Sequence, residues 1–387
     1  MKAFGYLSSV EIVYGCGRAG EIGGYAAAYG KRALLVSRPE TAKVAALFKQ
    51  VKGSLEKAGV VVTHFTGVIP NPTTDSVTQG ARMARESGAE LVIGLGGGSA
   101  MDTAKAVAVE TANGGTAWDY LFYKNAPSDK TLPILCIGTT AGSGSQTTPC
   151  AVITHTETQD KSAIWHKNIF PKVSIVDPDA TMSMHVALTA QTGFDAFCHN
   201  FEAFISTGSN PMSDTLALDA LARIVKYLPL AVADGSDREA RSQMSWADTL
   251  GGLTITAAGV TLPHGLGMQI GGHCPHVSHG QALAAVYPAF TQYTVQHATE
   301  KFAAVGRIFD PALAGVPDAE AAEKCCDKID AFLKQIGLWI GFKTLGVTQE
   351  NLRQIANCGQ VLGDYKNNPR IATIDDMYDL LMSGYER

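Results

Sequence analysis

Residues 262–280, LPHGLGMQIGGHCPHVSHG, hold four of the ten histidines of the chain: His264, His273, His276 and His279. Upstream, in TGFDAFCHNFEAF (192–204), Asp195 and His199 stand four positions apart. On a helix that spacing puts both side chains on one face. By itself it is an ordinary helix pair. Its neighbours Phe194, Phe197, Phe201 and Phe204, however, make the segment apolar, and a carboxylate and an imidazole buried there without partners are costly. A divalent cation removes that cost. His264 and His279 would complete an N₃O set of the kind that binds Zn²⁺ or Fe²⁺ with a position left open.

A second kind of chemistry is written in AELVIGLGGGSAMDTAK (89–105). An apolar strand runs into Gly96-Gly97-Gly98-Ser99 and then into a helix. Glycines let the backbone approach a phosphate closely, and a helix N-terminus offers N–H groups and the positive end of a dipole. Asp102 and Lys105 sit in the opening turns, where Asp102 would reach a ligand over the loop. LPILCIGTTAGSGSQTT (132–148) repeats the pattern: a strand ends in a small, hydroxyl-rich loop with Thr139, Thr140 and Ser143. Either loop alone reads equally well as a polar turn. Two of them at strand ends in one sheet point to a cofactor.

The elements that must position these groups differ between the two halves. Up to about residue 180, strand-like runs (32–37, 59–65, 89–95, 132–138, 172–177) alternate with helical patterns (41–58, 76–88, 100–112). That alternation implies crossover connections and an open, mostly parallel, doubly wound sheet, whose ligands lie beyond the carboxyl ends of its strands. After Asp177-Pro178 the helical spacing takes over, in 186–206, 213–232, 237–257, 281–297, 318–335 and 348–358. Ser213 with Asp214, and Thr373 before Asp375 and Asp376, read as helix N-caps with acidic first turns. Gly271, Gly272 and Pro275 place His273 and His276 in a loop. The fold expected is an α/β dinucleotide-binding domain, 1–183, followed by an all-helical metal-binding domain, 184–387, with the cleft between them as the place for chemistry.

Composition sets bounds on this reading. With 387 residues, 46% hydrophobic and 17% charged, the chain can build two cores. A net charge of −5, with no basic block, argues against a nucleic-acid surface. The eight cysteines show no CxxC pair, which fits reduced thiols in the cytoplasm. No secretory signal and no membrane span is expected from the apolar runs.

Taken together, PNPTTDSV (70–77), GLGGGSAMDTAKA (94–106), GTTAGSGSQTT (138–148), Asp177-Pro178, TGFDAFCHNFEAF (192–204), NPMSDTLALDALARI (210–224), His264-Gly265, His279-Gly280 and NNPR (367–370) resemble the iron-containing (group III) alcohol dehydrogenases. The resemblance runs through nearly the whole chain. It implies the dehydroquinate synthase-like two-domain architecture and a homo-oligomer, a dimer. It places the metal ligands on Asp195, His199, His264 and His279. It places cofactor contacts on Asn71, Gly97, Gly98, Ser99, Asp102, Thr139, Thr140, Ser143 and Lys161. The activity it implies is reversible hydride transfer between NAD or NADP and a small aldehyde or primary alcohol, with Fe²⁺ or Zn²⁺ as Lewis acid.

Three positions depart from the family pattern. Met268 stands where many members have a second histidine near the substrate, so no acid/base residue is assigned. Gln146 replaces a frequent Glu. Arg38 follows the strand at 32–37 where members that prefer NAD often carry Asp; an arginine there suits a 2′-phosphate and hence NADP. His273 and His276, in a loop one residue longer than the family's, are candidates for binding an anionic head group such as a sulfonate, phosphonate or carboxylate. The rival readings are a metal-dependent lyase or cyclase resembling dehydroquinate synthase, and a non-catalytic nucleotide binder. The first needs a Lys/Arg cluster beside the metal motifs that the sequence does not show. The second leaves an intact ligand quartet without a purpose.

Overall fold

The computed structural model describes residues 3–387. They divide into two compact units: Leu7–Met184, and His185–Arg387 together with the residues up to Tyr6.

The first unit runs β1 (Glu11–Tyr14), α1 (Ile22–Ala27), β2 (Arg32–Val36), α2 (Ala45–Lys57), β3 (Val61–Phe65), α3 (Thr74–Glu86), β4 (Leu91–Gly96), α4 (Gly98–Asn113), β5 (Ile134–Gly138), β6 (Cys150–Thr154), β7 (Lys161–Trp165) and β8 (Val173–Val176). Six strands form one sheet in the order β1-β8-β5-β4-β2-β3, every pair parallel, while β6 and β7 make a separate antiparallel hairpin. The apolar run of β2 shows why the sheet is covered on both faces. Leu34 and Val36 pack in one cluster with Val77, Met101 and Val107 of α3 and α4. Ala33 and Leu35 pack in another with Ile22, Phe48 and Leu55 of α1 and α2. A strand buried on both faces needs a continuous apolar sequence rather than an alternating one. The strand order reverses between β2 and β4, which is the switch point where open α/β sheets bind ligands. Arg38 lies just past the end of β2, and Gly97 just past the end of β4.

The second unit is helical: α5 (Val186–Ile205), α6 (Pro211–Ala233), α7 (Arg238–Ala258), α8 (Leu262–His273), α9 (His279–Thr294), α10 (Thr299–Phe309), α11 (Asp318–Gln335), α12 (Gln349–Cys358) and α13 (Ile374–Ser383). Helix α5 is buried on nearly all sides and packs against α6, α7 and α9. Its Phe194, Phe197 and Phe201 surround Tyr287 of α9, with ring centroids 5.2, 6.2 and 6.1 Å away. This aromatic packing fixes the rotation of α5 and therefore the direction in which Asp195 and His199 point.

Two local expectations need correction. The N-cap of α6 is Asn210, not Ser213: the Asn210 side chain accepts from the N–H groups of Met212 and Ser213, and Pro211 occupies the first turn. Proline lacks the N–H that a helix start leaves unused and has its φ preset, so the helix begins there. His273 is also not in a loop but is the last residue of α8, leaving only His276 in the turn that follows. The Thr373 cap is found, accepting from the Asp376 N–H. The eight cysteines form no disulfide among the described residues, and no described helix is long and apolar enough to cross a membrane.

Candidate functional site

Three helices of the helical unit bring one carboxylate and three imidazoles together. Asp195 and His199 come from the middle of α5, His264 from the first turn of α8, and His279 from the first position of α9. Helix α8 starts after Thr261 with Pro263 in its first turn; the α9 start is fixed by Ser278, which caps the Gln281 N–H while Gln281 accepts from Ser278. The Nε2 atoms of His264, His279 and His199 lie 3.5, 3.6 and 3.9 Å from Asp195 Oδ1. Donor atoms of Asp195, His199 and His264 lie within 4.8 Å of one another, and all three residues are buried. His279 stands outside that mutual limit and is the most exposed of the four side chains, at 26%.

These distances suit a small cation. Ligand atoms about 2.1 Å from a tetrahedral centre are about 3.4 Å apart. Two buried atoms make the stronger argument: Asp195 Oδ1 and His264 Nε2 have no hydrogen-bond partner. Two buried acceptors facing each other at 3.5 Å are unfavourable unless something positive lies between them. Burial alone would raise the Asp195 carboxyl, but His199, His279 and His264 outweigh it and hold the group at about 2. Burial likewise disfavours charge on His264, but Glu202 and Asp195 on its two nitrogens raise its proton affinity to about 10. The position therefore attracts a cation strongly, whether a proton or a metal ion.

Glu202 is not among the residues that the sequence singles out. It lies seven residues after Asp195 on the same stripe of α5, is fully buried, and accepts from His264 Nδ1 at 2.8 Å. The signal was present in the sequence: a carboxylate between Phe201 and Phe204 at i, i+4, i+7 with the other two. Asp364, on the short turn Gly363–Asn367, is a second acid near the same ring; burial raises its carboxyl to about 6, with His264 opposing and Glu202 reinforcing that shift.

In the sheet unit, the two small-residue loops press against each other. A Cβ on Gly97 would stand 3.0 Å from Thr140 Oγ1, and one on Gly98 would stand 2.8 Å from Ser143 Cβ. Gly96, at φ +153°, makes the turn that starts the loop, and its carbonyl accepts from the Thr139 N–H. Ser99 follows in the first turn of α4. Asn71, in the left-handed region at φ 50°, accepts from the Lys161 ammonium at 2.8 Å, joining two residues ninety positions apart. Asp102 is occupied within the protein: Oδ1 accepts from Ser145 Oγ at 2.6 Å and Oδ2 from the Val152 N–H at 3.1 Å. It braces the loop beneath any ligand. Lys105 is fully buried and donates to the Ser145, Thr148 and Cys150 carbonyls at 2.6, 3.0 and 2.7 Å. Arg38 is exposed.

The remaining histidines of the opening stretch do not join the cluster. His276 Nε2 is 3.0 Å from the Leu345 carbonyl, on an exposed turn. His273 follows His264 by nine positions on α8, and about 100° per residue puts it on the opposite side of the helix. Met268, one turn after His264, is partly buried.

The profile of the iron-containing alcohol dehydrogenases matches residues 9–178, and that of the C-terminal domain of the Fe-containing alcohol dehydrogenase family matches 189–385. The chain belongs to the iron-containing alcohol dehydrogenase family. It is 31% identical to the NAD-dependent methanol dehydrogenase of Bacillus methanolicus over 96% of this chain and 97% of that protein. An archaeal halo-thermophilic alcohol dehydrogenase from a Red Sea brine pool superposes with a TM-score of 0.94, at 33% identity over 99% of both chains. Sulfoacetaldehyde reductase from Bifidobacterium kashiwanohense, solved with NAD⁺, superposes with a TM-score of 0.85, at 30% identity over 100% of both. As a member of this family the protein is a metal-dependent oxidoreductase of alcohols and aldehydes that uses a nicotinamide cofactor.

Proposed function

We propose that the protein interconverts small primary alcohols and their aldehydes by hydride exchange with NADP(H) or NAD(H), at a divalent ion held by Asp195, His199, His264 and His279. The observation that carries the ligand set is the pair of buried, unpartnered acceptors, Asp195 Oδ1 and His264 Nε2, at 3.5 Å. Bound there, Fe²⁺ or Zn²⁺ supplies a Lewis acid for the substrate oxygen. One carboxylate and three neutral imidazoles neutralise only half the charge of a divalent ion, so the ligand set favours an alcohol that gives up its proton. His279, the most exposed of the four, leaves the side by which substrate reaches the set.

The cofactor contacts are Gly97, Gly98 and Ser99 on one loop, Thr139, Thr140 and Ser143 on the other, and Asn71 with Lys161. Asp102 acts from beneath, through Ser145. Arg38 stands at the switch point where the 2′ position of an adenosine ribose would fall, which favours NADP. Glu40, two positions on, is paired with Lys52 at 3.1 Å. We take the enzyme to act in the cytoplasm as a homo-oligomer; eight cysteines without a disulfide among the described residues support a reducing compartment.

An anionic aldehyde is the second reading, favoured by the likeness to sulfoacetaldehyde reductase. Of the two histidines expected to bind such a head group, His276 is engaged by the Leu345 carbonyl and His273 lies on the side of α8 opposite His264, which supports neutral substrates over anionic ones. Short neutral aldehydes are therefore expected to turn over faster than sulfonate-, phosphonate- or carboxylate-bearing ones. The test is steady NADPH and NADH consumption with a panel of both kinds, repeated with chelator and with His264→Ala. Chelator and variant should each abolish turnover. A folded, metal-loaded protein that consumes neither cofactor with any aldehyde would overturn the assignment.

A further inference from the structure

Glu202 has 0% exposure and meets four donors. Its Oε2 accepts from the Thr261 N–H at 2.8 Å and Thr261 Oγ1 at 3.1 Å. Its Oε1 accepts from His264 Nδ1 at 2.8 Å and from the Tyr287 hydroxyl at 3.4 Å. A carboxylate has about four lone-pair sites, so this one is fully matched as an acceptor. The backbone N–H can only donate, so the carboxylate is anchored at Oε2, and whatever faces Oε1 must donate as well. That makes the His264 nitrogen facing it an N–H. The other nitrogen, Nε2, is then a lone pair aimed toward Asp195, and it is the atom with no hydrogen-bond partner. In the opposite tautomer His264 would present an N–H to the site and could not act as a ligand.

We propose that Glu202 is the positioning residue of the metal site: it fixes the His264 tautomer and ring direction, and thereby sets the affinity for the ion. The proposal rests on the ligand set given above. Helix α5 thus supplies Asp195, His199 and Glu202 at i, i+4 and i+7: two groups that face the ion, and a third that acts through a ligand from α8. Such outer partners change metal affinity by about 10- to 100-fold when removed.

The test uses the full-length chain. Glu202→Gln should bind Zn²⁺ 10- to 100-fold more weakly in competition with a chromophoric chelator, about the effect of losing such a partner. It should also shift the d–d absorption of the Co²⁺ form, while NADPH affinity stays as in the parent. Glu202→Asp keeps the charge but withdraws it by one methylene, and should weaken binding less. In the unsubstituted Zn²⁺ form, ¹⁵N NMR of histidine should show Nδ1 of His264 carrying the proton. The opposite tautomer, or a folded Glu202 variant with unchanged affinity and spectrum, would overturn the proposal. His199→Ala separates the two claims. If it also retains the ion, the ligand set itself is wrong; if it loses the ion while the Glu202 variants keep it, only the role of Glu202 falls.

Discussion

Lys105 in the sheet unit and Glu202 in the helical unit are both fully buried charges, each surrounded by groups matched to its sign. The Lys105 ammonium donates to three backbone carbonyls and approaches two hydroxyls, Ser145 Oγ and Thr148 Oγ1. Asp102 beside it is likewise engaged through both oxygens. That cluster ties α4 to the loop and hairpin that follow β5, and it closes on itself. Glu202 is as well matched, yet its neighbour His264 passes the polarity on to Nε2, which ends against Asp195 Oδ1 with neither atom partnered. A buried polar network that closes on itself is structural. One that ends in facing acceptors is built for a ligand.

Exchanging the consequences of the two clusters is the most direct way to break this comparison. His199→Ala should lose the bound metal and at least about a thousandfold in turnover, while the chelated chain unfolds as the parent does. Lys105→Met should do the reverse. It leaves three carbonyls, two of them buried, without a donor and should destabilise by about 3 kcal/mol, with metal content unchanged. Metal analysis and thermal melts of both variants, with and without chelator, decide it. If His199→Ala costs the chelated chain as much stability as Lys105→Met does, the distinction fails.

Gly267→Ala sharpens the comparison with a smaller effect. A Cβ there would stand 3.2 Å from His279 Cε1 and 3.3 Å from Leu283, so the ring must give way by a few tenths of an ångström. Alanine favours helix over glycine by about 1 kcal/mol. The expected outcome is metal binding weakened several-fold in a chain whose chelated form melts no lower than the parent. Equal loss of both would place Gly267 in the scaffold alone.

The smallest effect concerns Glu110 on α4, which accepts from Thr78 Oγ1 and the Ala117 N–H and whose carboxyl is raised by burial, those bonds notwithstanding. A folded-state value above the unfolded one adds stability that is complete below the ordinary glutamate range and lost as pH rises through the raised value. Glu110→Gln should therefore flatten the fall in stability between about pH 4 and about pH 7, by less than about 1 kcal/mol. Urea midpoints at the two pH values measure it; a steeper fall in the variant contradicts the sign.

The sequence was most legible where one period dominated over many residues. The strands at 32–37 and 89–95, and the helices at 186–206 and 318–335, lie within two residues of β2, β4, α5 and α11. Short elements were not legible. EIVY of β1 is four residues, and its pairing with β8 comes from tertiary contact rather than local pattern. The β6–β7 hairpin leaves no mark in the sequence, because its connection carries no two-residue turn signature. The C-terminal end of α8 is not legible, because Gly271, Gly272 and the nearby Pro275 argue for a loop there. Of the candidate site, Asp195, His199 and His264, whose donor atoms lie within 4.8 Å of one another, are readable from residue type and neighbours. The bracing role of Asp102 and the contact from Glu202 are not, because each depends on which way a side chain turns across chain segments distant in sequence.

Four glycines in the twelve residues of α8 cost this helix about 4 kcal/mol of intrinsic preference relative to alanine. Its order must come from what lies around it, and His264 in its first turn and His279 just beyond its end both reach toward the metal position. The segment should therefore be among the first parts of the helical unit to open, and an ion bound by both histidines closes it from either end. Backbone amides of α8 should exchange with deuterium faster in the chelated chain than in the zinc form, while those of α6 keep their rates. In this protein, loading the metal would also be the step that sets the local folding of the helix that holds it.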